Sequence, residues 1–253
     1  MKILVLAQDS DTTWMMVNAL RPSFPDLQVM LEQPVSRSIL LKRRVARKGI
    51  VPVIGQVLFM IALPLLCGSA GARRQRLIAN AGMSAERPAD IKVRECVSVN
   101  SDECKAWLAG EKPDVVVVNG TRIIAADVLG ACNAIFLNTH CGITPAYRGV
   151  HGGYWAMYQG DAANMGVTVH VVNSGIDTGD IIYQQVIHTE PEDNFLTYPI
   201  KQYLAGIPLM QKAISDIANN CLRTSMRTDL ASALWYHPTL WQYLWKRLRR
   251  GVR

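Results

Sequence analysis

The sequence predicts an α/β fold in which helices flank a Rossmann-like, twisted and mostly parallel sheet. Short apolar runs alternate with helical segments in a βαβ rhythm, which is typical of parallel sheets. The chain opens with the apolar run Lys2–Ala7, which ends at polar residues as a buried parallel strand does. Of the 253 residues, 49% are apolar and 19% are charged, which is enough apolar sequence for a buried core.

A long basic stretch separates the first strands. A helix is predicted over Thr12–Leu20 and a second strand over Leu27–Glu32. Residues 38–80 are helical, with breaks near 49–52 and 68–71. This stretch is long for a crossover between parallel strands. We therefore interpret it as a helical insertion in a catalytic domain that spans residues 1–223.

The alternation is clearest between residues 97 and 137. The pattern predicts, in order, a weak strand, a helix, a strong strand, a short helix and a further strand, over Val97–Val99, Ser101–Gly110, Asp114–Val118, Thr121–Leu129 and Ala134–Leu137. Ligands bind beyond the carboxyl ends of such strands. A cleft is therefore expected where Asn119-Gly120 and Asn138-Thr139-His140 follow their strands.

Two more strands and two helices are predicted beyond this cleft. Val167–Val172 alternates in polarity, and Ile181–Val186 follows the turn at Asp177–Asp180. A helix should run from about Tyr198 to Arg223. Residues 224–253 then form a basic helical tail.

One helical face of the tail carries large apolar side chains, namely Trp241, Leu244, Trp245 and Leu248. We expect this face to dock on the body of the protein or on a second subunit, as in a homodimer. Peripheral contact with a membrane surface is the alternative.

Charge and cysteine usage indicate a cytoplasmic protein. The net charge is +7, but no ladder of basic and aromatic residues suggests nucleic-acid binding. The N-terminus lacks the features of a signal peptide, and the six cysteines show no paired spacing, so reduced thiols are expected. The apolar run Ile50–Leu66 is shorter than the ~20 residues of a membrane-spanning helix, which favours a buried helix.

Asn138, His140 and Asp177 are the candidate catalytic residues. Residues 138 and 140 of an extended segment project to the same side. An asparagine amide can donate to a developing oxyanion, and a histidine can accept a proton or act as a second oxyanion donor. Asp177 could orient the imidazole or relay a proton through water. Alone, the pattern is a weak signal, because an asparagine at a strand end is usually a turn former and a lone histidine is usually packed or exposed. Cys141 has no second base beside it, and no metal-ligand spacing occurs.

A longer block around these residues resembles the folate-dependent formyltransferase family. It comprises Asn138-Thr139-His140, the loop Ile143–Gly149, the strand Gly166–His170 and the turn Asp177–Ile182. The family includes glycinamide ribonucleotide, methionyl-tRNA and sugar N-formyltransferases. The resemblance is strong from about Asp114 to Gln185 and weak before it.

The resemblance implies roles for specific residues. Asn138 and His140 would stabilise the tetrahedral intermediate as an amine attacks the formyl group of 10-formyltetrahydrofolate, and Asp177 would assist proton removal. His170 would support the site structurally. The cofactor pocket would be bordered by Gly120, Thr121, Arg122, Ile123 and Ile124 on one side and by Ser174, Gly175 and Ile176 on the other. The acceptor would contact Tyr147, Arg148, Gly149 and His151. Arg148 could equally be a structural hydrogen-bonding residue.

Departures from the family pattern narrow the expected acceptor. The purine enzymes have a glycine-rich, phosphate-binding turn after the first strand, where this chain has Gln8–Asp11 with two carboxylates. The tRNA enzymes add a β-barrel domain, whereas the residues after 223 are predicted to be helical. An amino sugar, nucleotide-linked as is usual in the family, is therefore the expected small-molecule acceptor. The alternatives are a 10-formyltetrahydrofolate hydrolase, a glycinamide ribonucleotide formyltransferase and a non-catalytic folate-binding protein.

Overall fold

The computed structural model describes residues 1–253 and contains nine strands, nine α-helices and one short 3-10 helix, Ala162–Asn164. The strands are β1 (Ile3–Ala7), β2 (Gln28–Glu32), β3 (Lys92–Cys96), β4 (Val115–Asn119), β5 (Ile135–His140), β6 (Arg148–Gly149), β7 (Gly166–Val171), β8 (Ile181–Val186) and β9 (Leu234–Trp235). The helices are α1 (Asp11–Leu20), α2 (Arg37–Lys48), α3 (Ile50–Leu66), α4 (Ala70–Asn80), α5 (Asp102–Glu111), α6 (Ala126–Leu129), α7 (Gly152–Gln159), α8 (Tyr198–Ala218) and α9 (Leu240–Arg250).

Seven strands form one sheet in the order β3-β2-β1-β4-β5-β7-β8. The first five are parallel, β7 runs antiparallel to β5, and β8 runs antiparallel to β7. The predicted mostly parallel α/β sheet with flanking helices is confirmed. The two-residue strands β6 and β9 pair separately and tie the loop after β5 to the C-terminal segment.

The central strands are buried because helices cover both faces of the sheet. In β1, Ile3 and Val5 pack on the side of α1 and α8, while Leu4 and Leu6 pack on the side of α5. This division follows from the two-residue period of a strand. Apolar runs such as that of β4 therefore need no polar face.

Strand β5 is longer than predicted and contains the candidate residues. We expected Asn138-Thr139-His140 to follow a strand, but β5 continues to His140. Its last residues pair with β7, in the register Asn138↔His170 and His140↔Thr168. The polar side chains are accommodated inside the sheet because the neighbouring strand supplies polar partners.

Two predicted elements near the cleft were misplaced. The strand predicted at Val97–Val99 lies at Lys92–Cys96. At this edge of the sheet the charged side chains are exposed, Val93 is half-buried and Cys96 is buried. The helix predicted over Thr121–Leu129 begins only at Ala126. Residues 121–125, which were predicted to be helical, lie outside the helix. The backbone N–H groups of Arg122 and Ala125 donate instead to the side chains of Glu32 and Asn100.

The C-terminal segment also differs from the prediction. Helix α9 begins at Leu240, after Pro238, with Thr239 as its N-cap in a capping box. The side predicted to dock is largely exposed, and the buried side chains of α9 are Tyr243 and Lys246. Tyr243 packs against Phe59 of α3, with ring centres 4.9 Å apart, and this aromatic contact decides which side of α9 faces inward.

Helices α2, α3 and α4 lie between β2 and β3. No single helix of the chain is long and apolar enough to cross a membrane. By length and composition alone, α3 and α4 together pass that test as a pair bent by 71°.

Candidate active site

A cleft of about 650 Å³ opens at the carboxyl ends of β4 and β5. Asn138, His140 and Asp177 all line it. A larger cavity of about 910 Å³ lies at the opposite, amino ends of β4 and β5, near Met1 and Asn133. It contains none of the predicted site residues. The chemistry therefore belongs to the smaller cleft.

Asp177 reaches the cleft from the loop between β7 and β8. Its backbone has a φ of 49°, in the left-handed region. The N–H of Gly149 donates to its Oδ2 over 2.8 Å, and Arg148 Nη1 donates to the carbonyl of Ile176 over 3.1 Å. The loop containing Arg148 therefore fixes both the carboxylate and the backbone that carries it.

The three candidate side chains meet at the Asp177 carboxylate. His140 Nδ1 lies 3.3 Å from Oδ2, and Asn138 Nδ2 lies 3.5 Å from Oδ1. Residues that are 39 positions apart in sequence are thus within contact distance. An oxyanion donor, a proton acceptor and a carboxylate occupy one wall of the cleft.

The hydrogen bonds of His140 define which ring nitrogen is free. Nε2 lies 2.7 Å from the carbonyl oxygen of Tyr147. A carbonyl can only accept, so Nε2 carries the proton of the neutral imidazole. Nδ1 is then unprotonated and faces Asp177. It is the nitrogen that can accept a proton, and the carboxylate would stabilise the resulting imidazolium.

His170 positions Asn138. Its Nδ1 lies 2.8 Å from the carbonyl of Val171 and therefore carries the proton. Its Nε2 can then accept from Asn138 Nδ2 at 3.1 Å. The Asn138 amide is consequently oriented with its nitrogen, which is the donor atom, on the side of His170 and Asp177.

Burial and local charge set the protonation states of the pair. Burial alone would raise the pKa of Asp177, but the adjacent imidazole of His140, the nearby ring of His170 and the N–H donated by Gly149 lower that pKa to about 2. Burial lowers the pKa of His140, and Asp177 opposes that effect only in part. At neutral pH the site thus contains a carboxylate and a neutral imidazole.

Cys141 is a poor nucleophile here. Burial, reinforced by the charge of Asp177, raises the pKa of its thiol to about 12. The thiolate that nucleophilic attack requires is therefore scarce at neutral pH.

One wall of the cleft is the segment from Gly120 to Ile124, as expected for the cofactor side. Gly120, Thr121, Arg122, Ile123 and Ile124 all line the cleft. Arg122 forms an ion pair with buried Glu32, and its Nη2 donates to the carbonyls of Gln33 and Val97. Its guanidinium therefore holds this wall against the ends of β2 and β3.

The opposite wall contains Gly175 and Ile176, whereas Ser174 does not line the cleft. Gly175 donates its N–H to the side chain of Asn173, which itself lines the cleft and also accepts from Thr178. This tight turn leaves Ser174 outside.

The four predicted acceptor contacts divide into two groups. Gly149 and His151 line the cleft, but Tyr147 and Arg148 do not. Tyr147 is buried and its hydroxyl donates to Asp161 over 2.8 Å. The Arg148 guanidinium donates to the carbonyl of Ile176, as described above. A structural hydrogen-bonding role for Arg148 therefore fits the geometry better than contact with the acceptor.

His237 is a cleft residue that sequence reasoning missed. Its Nδ1 lies 3.0 Å from Nε2 of His151. Burial, with the effects of His237 and then of Arg44, lowers the pKa of His151 to about 3. Burial and the charge of Arg44 lower the pKa of His237 to about 4. His237 lies 86 positions from His151. No sequence signal indicated the contact, because it depends on the pairing of β6 with β9.

Tyr203 of α8 was also missed. It lines the cleft, and its hydroxyl donates to Asn119 at the end of β4. Asn119 in turn donates to Thr13 of α1 over 2.7 Å. Nothing in the sequence distinguishes Tyr203 from a packed helix residue, because its buried hydroxyl finds its partner only at the polar end of β4.

Comparisons with known proteins show the family and the fold of the chain. A family model described as "Formyl transferase" matches residues 55–201. A methionyl-tRNA formyltransferase of Chlorobium chlorochromatii is 30% identical over 140 residues, which cover 55% of this chain and 44% of that protein. The chain thus spans about half the length of the curated relatives it matches.

Solved structures share the fold. Phosphoribosylglycinamide formyltransferase from Streptococcus pneumoniae superimposes with a TM-score of 0.56 at 17% identity, covering 86% of this chain and 98% of that one. WlaRD, a sugar 3N-formyltransferase solved with dTDP and 5-N-formyl-THF, gives a TM-score of 0.54 at 15% identity and covers 93% and 69%. The family model includes β5, β7 and the loop that carries Asp177. The chain therefore belongs to the formyl transferase family.

Proposed function

We propose that this cleft transfers the formyl group of 10-formyltetrahydrofolate to a primary amine of a small acceptor. The observation that carries the proposal is the contact of Asn138, His140 and Asp177 with one another in the cleft. The cleft volume lies within the ~300–1,000 Å³ of small-molecule sites. Its apolar residues Val118, Ile124 and Val172 suit the flat ring of a folate.

The residues support a stepwise reaction at the formyl carbon. The acceptor nitrogen attacks, and the formyl oxygen gains charge, which Asn138 Nδ2 stabilises by donation. The attacking nitrogen then loses a proton to His140 Nδ1, directly or through water, and Asp177 stabilises the imidazolium. The C–N bond to the folate breaks as the tetrahedral carbon collapses, and the folate nitrogen takes up a proton.

We propose an amino sugar, nucleotide-linked in its usual form, as the acceptor class. The turn after β1 is unsuited to a ribose phosphate because Asp9 accepts from Trp14 Nε1 and Asp11 pairs with Arg74. Both carboxylates are thus retained at the N-terminus of α1, where a phosphate would otherwise bind. The sugar N-formyltransferase fold neighbour agrees with this choice.

An assay that follows tetrahydrofolate release tests the function. Release from 10-formyltetrahydrofolate only when an amino sugar is added supports transfer. Release with water alone would indicate a hydrolase, and folate binding without release under any condition would indicate a binding protein. Nucleotide-linked amino sugars, free amino sugars and glycinamide ribonucleotide should be compared as acceptors in the same assay.

A further inference from the structure

Helix α3 presents an apolar side to solvent. Its 17 residues include one polar side chain, Gln56, which is turned inward and donates to the carbonyl of His237 over 2.8 Å. The outward residues recur at helical spacing, and Ile61 and Leu65 are 69% and 89% exposed. A helix that is apolar on both sides is found where both sides are covered. The protein itself covers only one.

Helix α9 extends this surface. Trp241 lies against Gly55 of α3, in the space that a Cβ atom at Gly55 would fill. The neighbouring side chains of α9 point outward, and Leu248 is 86% exposed. The two helices therefore form one continuous surface. We call it the docking face and define it by Ile54, Leu58, Ile61, Leu65, Trp245 and Leu248.

A rim of unpaired cations borders the docking face. Helix α2 has no buried residue, and its lysines and arginines form no ion pair. The same holds for the arginines of α9. The sequence has no Asp or Glu between Glu32 and Glu86 or after Asp229. Elsewhere, exposed cations such as Lys105 and Lys212 pair with carboxylates. The charge near the docking face therefore lacks a counterion within the protein.

We propose that the docking face binds the surface of an anionic lipid bilayer, with α3 and α9 lying in the plane of the interface. Apolar side chains bordered by lysine and arginine are the pattern of interfacial helices, and tryptophan favours that depth. Seventeen residues of helix extend only ~25 Å, and α4 turns away by 71°, so α3 lies on the bilayer.

A second copy of the chain fits this surface less well. In a symmetric dimer the same patch meets itself. The cationic rims of α2 and α9 would then face each other with no acidic residue between them. An anionic bilayer instead supplies the missing negative charge along the whole rim.

Helices α3 and α9, which carry the docking face, also reach a groove beside the candidate active site. Lys48 Nζ lies 3.6 Å from the ring centre of Tyr236, next to His237 of the cleft. His237 also lines a groove with Gln56 and Trp241. Docking would therefore bring the His237 edge of the cleft beside the lipid headgroups.

Sedimentation with vesicles tests the proposal on the full chain. We expect binding to phosphatidylglycerol-containing vesicles, at least tenfold weaker binding to pure phosphatidylcholine, and weakening by salt. Ile61→Glu with Leu65→Glu should reduce binding at least tenfold. The matched control is Val97→Glu with Met226→Glu, two residues that are 68% and 78% exposed outside the face; this pair should bind as the wild type does. Circular dichroism checks that all variants are folded.

A second pair of variants tests the charge. Arg43→Gln with Arg47→Gln should weaken binding by about fivefold per cation, whereas Lys92→Gln with Arg94→Gln on the edge strand β3 should not. Equal binding to neutral and anionic vesicles would overturn the proposal. A second pattern of results would also overturn it. If light scattering gives twice the chain mass of 28.0 kDa, Ile61→Glu abolishes that dimer and no vesicles are bound, the docking face joins two copies of the chain.

Discussion

The imidazole of His140 donates from Nε2 to the carbonyl oxygen of Tyr147, 2.7 Å away. The backbone of the loop after β5, and not a carboxylate, thus fixes the tautomer. Asp177 is left to face the opposite nitrogen at 3.3 Å, where charge develops if His140 takes a proton. This division of roles determines how activity should respond to pH and to substitution.

The pH profile should show a neutral His140 over a wide range. Because burial lowers its pKa below the ordinary value of 6.5, kcat/KM calculated on the unprotonated form of the acceptor amine should stay level from about pH 8 to 6.5 and decrease only at more acidic pH. The unfolded chain binds more protons in that acidic range, so stability should decrease there as well. Initial rates with saturating formyl donor measure the profile. A half-maximal rate above pH 6.5 would contradict the assigned protonation state.

Asp177→Asn should remove the negative charge of the carboxylate but keep the left-handed backbone conformation at residue 177. Asparagine tolerates left-handed φ values and can still accept from the Gly149 N–H. We expect kcat to decrease about 10²–10⁴-fold, the range of general acid–base catalysis. Thermal unfolding should show that the variant is folded. Near-wild-type turnover would exclude the proposed role of the carboxylate.

Asn138→Asp should remove the oxyanion donor without changing side-chain size. One such donor typically contributes about 10²–10³ in kcat. The aspartate would also lie 3.1 Å from His170 Nε2, in place of the amide nitrogen. Asn173→Asp, at a cleft residue outside the trio, is the comparison and should retain most activity. Equal losses in the two variants would point to a general charge effect.

Arg122→Leu should loosen the cofactor wall and destabilise the fold. Glu32 would lose its ion-pair partner inside the protein, at a cost of about 1.5–3 kcal/mol in the free energy of unfolding. The KM for the folate should increase more than kcat decreases, because the side chain binds the wall and not the reacting atoms. Arg94→Leu, on an exposed cation without an ion pair, should change stability by less than about 0.5 kcal/mol. Denaturant titration and steady-state kinetics provide both values.

The fold could be predicted because its signals are local. The apolar runs of β1 and β4, bounded by polar residues, need no knowledge of their neighbours. The edge strand Lys92–Cys96 and the extended segment before Ala126 could not be located in the same way. Pairing with β2 holds the first, and the side chains of Glu32 and Asn100 hold the second.

The candidate site, like the fold, could be predicted only in part. The family resemblance indicated Asn138, His140 and Asp177 as a group, and their catalytic roles stay a prediction. The positions of Arg148 and His237 depend on contacts across long stretches of chain, through Ile176 and His151. Likewise, the inward side of α9 depends on Phe59 of α3, which no helical period can reveal.

The antiparallel pairing of β5 with β7 limits how this chain can change in length. Asn138 faces His170 only in the observed register, and a shift by one residue moves a side chain to the other face of the sheet. Deletion of one residue inside β7 would therefore separate His170 from Asn138. The stretch between the two strands, in contrast, can vary in length without disturbing that match if the contacts of Tyr147 and Gly149 survive. Loop grafting in this protein should be confined to that stretch.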